Sequence, residues 1–119
     1  MQQRANRAHP PYSIDGPVAV IGAGVIGASW AALFAAHGRA VRLHDVDPAR
    51  LEQGMTQAHE QARFLSSNGL VEAAETEAGL AALRACGTLA EAARDAMVVQ
   101  ECVAERYEVK DVVYRAADQ

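Results

Sequence analysis

Residues Val20–Trp30 read VIGAGVIGASW. Gly22, Gly24 and Gly27 stand there in the order G-x-G-x-x-G. Glycine is common and the pattern is short, so its surroundings decide what it means. Before it lies PVAVI, Pro17–Ile21, an apolar β-branched run that suits a buried parallel strand. After it, Val25–His37 has a helical period, with Ile26, Trp30, Leu33, Phe34 and His37 on one apolar face. Gly38 is a natural stop for that helix. AVRLHD, Ala40–Asp45, alternates in polarity and reads as the second strand. The glycine turn thus joins a strand to a helix. A carboxylate, Asp45, closes the next strand, 21 residues after Gly24.

Those are the conditions under which such a turn holds a dinucleotide. Gly22 permits the tight exit from the strand, and Gly24 lets a pyrophosphate approach the backbone. Gly27 lets helix and strand pack closely. The helix start offers free N–H groups and the positive end of its dipole to phosphate. Asp45 suits the hydroxyls of the adenosine ribose and repels a 2′-phosphate, which favours NAD over NADP. Arg42 and Arg50 lie close in sequence and weigh the other way. Two other readings stay open: a glycine turn kept for packing alone, and an FAD site, which shares the motif but usually has Glu at the end of strand two.

Farther along, Asp47–Pro48 gives an N-cap followed by proline at the first helical position. A helix is predicted from Pro48 to about Ser67, stopping at Asn68–Gly69, with Gly54 as a costly interior residue. A second helix is expected over Ala73–Ala85, then a short strand near Cys86–Thr88 and a brief helix through LAEAARDA. MVVQEC, Met97–Cys102, is a further strand, and Arg106–Ala117 a final helix with Val109, Val112 and Val113 inward. The order β-α-β-α-α-β-α-β-α predicts an α/β fold, a Rossmann-type parallel sheet with helices on both faces. Only its first four strands are expected, so the sheet is truncated. Residues 1–16 read as a flexible N-terminal tail and 17–119 as the first part of the nucleotide-binding domain.

The bulk composition narrows the class. A length of 119 residues allows one small domain, and aromatic residues are only 5% of it. The net charge of −4 argues against a nucleic-acid partner. No apolar run approaches the roughly 20 residues that span a bilayer, and the N-terminus lacks a signal-peptide core. Cys86 and Cys102 form no CxxC pair, which suits a reducing compartment, the cytoplasm, and no structural zinc.

VAVIGAGVIGASWAALFAAHGRAVRLHDVDPARLEQG resembles the opening of the 3-hydroxyacyl-CoA dehydrogenase family, and VVQECVAERYEVK resembles its fourth strand and following helix. Ser29–Trp30 and Gln100–Val103 resemble the branch of L-gulonate 3-dehydrogenase (lambda-crystallin) and carnitine dehydrogenase. The resemblance runs from about Pro17 to the C-terminus. It implies NAD as cofactor, and an NAD-dependent oxidation of a 3-hydroxy acid or acyl-CoA, as in fatty acid metabolism. It implies backbone contacts from Val25 and Ile26 to the pyrophosphate. It further implies Glu105 and Lys110 beside the nicotinamide-side ribose; Lys110 is the only lysine in the chain. Where CoA-binding members carry Ser and Lys, ungapped alignment from Asp45 places Gln61 and Asn68, which favours a small hydroxy-acid substrate. Ala104 stands where the branch often has proline.

The family's catalytic His, Glu, Ser and Asn come after this stretch, as do the rest of the sheet and a helical C-terminal domain. His9, His37, His44 and His59 do not match that His and are expected to be structural or superficial. Cys102 is expected to be a small buried residue. The resemblance therefore implies a cofactor-binding part that is inactive alone. A non-catalytic NAD-binding or structural module is the competing reading. The strand Met97–Cys102 would lie at an open sheet edge, so self-association into a homo-oligomer is expected.

Overall fold

The computed structural model describes residues 16–102. Residues 1–15 of the N-terminal tail, the helix expected over Arg106–Ala117, and Glu105 and Lys110 lie outside them. Within them the elements are β1 (Val18–Ile21), α1 (Val25–Ala36), β2 (Val41–His44), α2 (Pro48–Ser67), α3 (Ala73–Ala82), β3 (Arg84–Cys86), α4 (Leu89–Ala93) and β4 (Val98–Glu101).

The four strands form one parallel sheet in the order β3-β2-β1-β4. Alternate residues of each strand face opposite sides, so the sheet has two cores. Val18 and Val20 of β1, with Val41 and Leu43 of β2, face the alanines of α1 and α2 and Leu80 of α3. Ala19, Ile21 and Cys86 face Ala92 of α4 on the other side. Helices therefore cover both faces, as the strand–helix alternation predicts.

The buried side of α1 corrects the sequence expectation. The structure buries Gly27, Ala28, Ala31, Ala32, Ala35 and Ala36. Ile26, Trp30 and Leu33 are exposed, and Trp30 stacks on Phe34 with ring centroids 5.7 Å apart. The reason is spacing. A Cβ on Gly79 of α3 would stand 1.8 Å from the Ala35 carbonyl oxygen, and one on Gly54 of α2 would stand 2.6 Å from that of Ala23. Backbones pass this closely only where side chains are absent, so the larger apolar residues of α1 have room only on its outer side. The same contact explains Gly54, which costs about 1 kcal/mol of helix propensity relative to alanine.

The ends of α2 follow the sequence. Asp47 accepts a hydrogen bond from Ala49 N–H, Pro48 occupies the first turn, and Gly69 has a φ of 70° just past the helix. The end of α3 does not. Leu83 is already extended, at φ −71° and ψ 125°, so the helix stops at Ala82 and β3 begins at Arg84. Buried Thr76 joins α3 to α1, its hydroxyl donating to the Ala36 carbonyl at 2.9 Å. That satisfies one of the orphan carbonyls at the end of α1.

Candidate cofactor site

β1 leads into Gly22, whose φ of 103° lies in the region that favours glycine. Its N–H donates to the His44 carbonyl at 2.7 Å, which fastens the turn to the end of β2. Gly24 is the N-cap of α1, and a Cβ there would meet nothing within 4 Å. Space is thus open above the start of the helix. The first helical bond runs from Ala28 N–H to the Gly24 carbonyl, at 2.8 Å. The N–H groups of Val25, Ile26 and Gly27 precede it and have no partner within the helix. Val25 and Ile26 are exposed, so their N–H groups lie at an accessible, positively polarised terminus. A Cβ on Gly27 would fall 1.6 Å from the Gly22 carbonyl oxygen, so only glycine permits this crossing of helix and turn.

Asp45 is buried beside the turn. Its Oδ2 accepts from Ala23 N–H at 2.8 Å, and its Oδ1 accepts from Asp47 N–H at 2.8 Å. The Arg50 guanidinium stands 3.6 Å from Oδ1. The structure therefore brings together the turn and Asp45, which follows β2 directly. It also separates the two nearby cations: Arg50 is at the site, whereas Arg42 donates to the Arg94 carbonyl beyond α4.

β1 lies between β2 and β4, which marks the point where strand order reverses and where such sheets bind ligands. At that point Glu101, opposite Ile21, ends β4. Its Oε2 is buried and has no hydrogen-bond partner among the described residues. In the sequence Glu101 stands only within the Gln100–Val103 resemblance; a carboxylate ending an apolar strand at the switch point is the signal for a site role. Cys102 follows, its N–H donating to the Ile21 carbonyl at 2.7 Å. Burial pushes its thiol up, with Glu101 adding to the rise and a hydrogen bond from Gln100 opposing it.

The histidines stay out of this site. His44 is buried and its Nδ1 bonds the Cys86 carbonyl at 2.8 Å, a structural role. His37 is exposed at the end of α1, and His59 is half-buried within α2. Among the described residues no cluster of ligating side chains is fit to hold a metal, and no helix is long and apolar enough to cross a membrane.

An open N-terminus on a glycine turn beside a buried carboxylate fits the adenosine diphosphate end of a dinucleotide. Residues 17–119 match the family of the 3-hydroxyacyl-CoA dehydrogenase, NAD binding domain. The chain belongs to the 3-hydroxyacyl-CoA dehydrogenase family. NAD is the cofactor of the matched domain.

Relatives within this family extend well past the match. A lambda-crystallin homolog of Bos taurus is 36% identical over 112 residues, covering 93% of this chain and 35% of its own. An L-carnitine dehydrogenase of Oceanobacillus iheyensis is 37% identical over 101 residues, covering 85% and 32%. The crystal structure of 3-hydroxybutyryl-CoA dehydrogenase from Escherichia coli superposes with a TM-score of 0.71 at 30% identity, over 86% of this chain and 21% of that one. The chain thus spans about a third of the length of the curated relatives it matches.

Proposed function

We propose that this chain holds the adenosine end of NAD for an oxidoreductase of the 3-hydroxyacyl-CoA dehydrogenase family. In the whole protein the reaction would oxidise a 3-hydroxy acid or acyl-CoA to its 3-keto product, with NAD accepting the hydride. The observation that carries this is the bond from Ala23 N–H to Asp45 Oδ2, which sets the carboxylate at the mouth of the open glycine turn. Gly22, Gly24 and Gly27 shape the turn, and Val25 and Ile26 offer N–H groups to the pyrophosphate. Asp45 accepts from the ribose. Glu105 and Lys110 are assigned to the nicotinamide-side ribose on family resemblance alone.

Residues 17–119 are the front of the NAD-binding domain in this proposal, with the catalytic remainder and a helical C-terminal domain supplied by the whole protein. Two free cysteines support a cytoplasmic setting. β4 lies at the sheet edge among the described strands, with Val99 exposed, and supports self-association through that edge.

Calorimetric titration tests the assignment. NAD should bind saturably, ADP-ribose should displace it, and nicotinamide mononucleotide should not. Mixtures of the chain with NAD and L-carnitine, L-gulonate or 3-hydroxybutyryl-CoA should form no NADH. Absence of NAD binding defeats the assignment, and turnover defeats the claim that the segment is inactive alone.

A further inference from the structure

Asp45 is engaged on three sides. Two backbone N–H groups hold its oxygens at 2.8 Å, and Arg50 stands 3.6 Å away. The two partners of this ion pair differ in depth. The Asp45 side chain is 4% exposed and that of Arg50 is 54% exposed, so the cation is the solvent-facing member of the pair. Arg50 belongs to the first turns of α2, whose N-cap Asp47 directs its own carboxylate to Ala49 N–H. The guanidinium thus sets its positive charge against the Asp45 carboxylate.

We propose that Arg50 sets how strongly this site discriminates at the 2′ position of the adenosine ribose, an inference that rests on the adenosine-site assignment above. A carboxylate alone at the end of β2 accepts from the 2′-hydroxyl and repels a 2′-phosphate. Here the carboxylate is paired with a cation whose positive charge also attracts phosphate. When a cofactor hydroxyl takes the open side of Asp45, Arg50 is released and remains at the rim. A 2′-phosphate arriving at the same place gains the guanidinium as it meets the carboxylate. Arg50 therefore softens the preference for NAD. Arg42 does not share this role, because its guanidinium is turned to the Arg94 carbonyl on the α4 side of the sheet.

The test is calorimetric titration of the 119-residue chain with NAD and with NADP, for wild type, Arg50→Gln and Arg50→Lys. Arg50 is largely exposed and the glutamine variant should fold; its thermal melt checks this. The readout is the ratio of the NADP dissociation constant to the NAD dissociation constant. Arg50→Gln should raise that ratio about threefold or more, and Arg50→Lys should keep it within about twofold of wild type. A smaller rise in Arg50→Gln, or wild-type protein that binds NAD but gives no heat with NADP at millimolar concentration, overturns the role of Arg50 while leaving the adenosine site standing. Wild-type protein that binds neither cofactor overturns the adenosine site itself, and this inference with it.

Discussion

Gly24 and Gly27 are three residues apart in one motif, yet the structure gives them separable jobs. At Gly27 an added Cβ would lie 1.6 Å from the Gly22 carbonyl oxygen and 2.8 Å from its carbon. The obstacle is backbone, and Gly22 is itself held to the His44 carbonyl. To bring the oxygen contact out to 3.0 Å, α1 must lift by about 1.4 Å. That lift opens the seam of Ala28, Ala31, Ala32 and Ala35 against the sheet and neighbouring helices. Overpacking costs about 1–3 kcal/mol where side chains can yield, and Gly27→Ala should reach the top of that range or exceed it. A small domain loses roughly 4–8 °C of melting temperature per kcal/mol, so a fall of about 12 °C or more is expected. At Gly24 the Cβ would meet nothing within 4 Å, and φ is −70°, which alanine adopts freely. Gly24→Ala should melt within about 8 °C of wild type, because alanine is a poorer N-cap than glycine by up to roughly 1 kcal/mol. Its Cβ would occupy the space above the helix start, and NAD affinity should fall about tenfold, or ~1.4 kcal/mol. Thermal melts and calorimetry on both variants decide the matter. A Gly27→Ala protein that melts like wild type refutes the packing argument, and a Gly24→Ala protein that keeps full NAD affinity refutes the cradle.

Asp95 has a φ of 56°, a left-handed conformation that costs a non-glycine residue roughly 1 kcal/mol. Asp95→Gly should therefore raise stability by several tenths of a kcal/mol despite the added freedom of the unfolded chain, as read by urea denaturation. Burial is the chief cause that pushes the Cys86 and Cys102 thiols up, so the unfolded chain deprotonates first as pH rises. The stability they contribute is whole below the ordinary thiol pKa of 9.0 and is lost as pH climbs through the raised values. Melts from pH 7 to 11 should show it, and Cys86→Ser/Cys102→Ser should flatten the alkaline loss. The β4 edge should drive concentration-dependent association in light scattering, and Val99→Lys should return the chain to a monomer.

Much of this architecture was legible because its signals were local. The strand before Gly22, the turn, the carboxylate after β2 and the Asp47–Pro48 cap each follow from neighbouring residues. The buried side of α1 was not. Ala28, Ala31, Ala32 and Ala35 repeat with the same helical period as Ile26, Trp30 and Leu33, so periodicity offers two faces. Choosing between them needs the approach distance of α2 and α3, which no local pattern contains. The end of α3 depended in the same way on pairing of Arg84–Cys86 with β2, a contact across 42 residues. The pairing of Arg50 with Asp45 was half legible. The sequence put Arg42 and Arg50 both near the ribose end, and strand alternation sent Arg42 to the α4 side.

Ala23 is held from two directions. Its N–H holds Asp45, and its carbonyl and Cβ lie where Gly54 of α2 leaves room. The residue between the first two glycines of the motif is thus clamped from β2 and from α2 at once. Such a turn has little freedom left to lose when a ligand arrives. The site is preorganised, and the ordering cost that a mobile phosphate loop meets on binding has already been met in folding. Swapping the motif alone into another protein would therefore transfer the glycines without the clamp, and with it only part of the affinity.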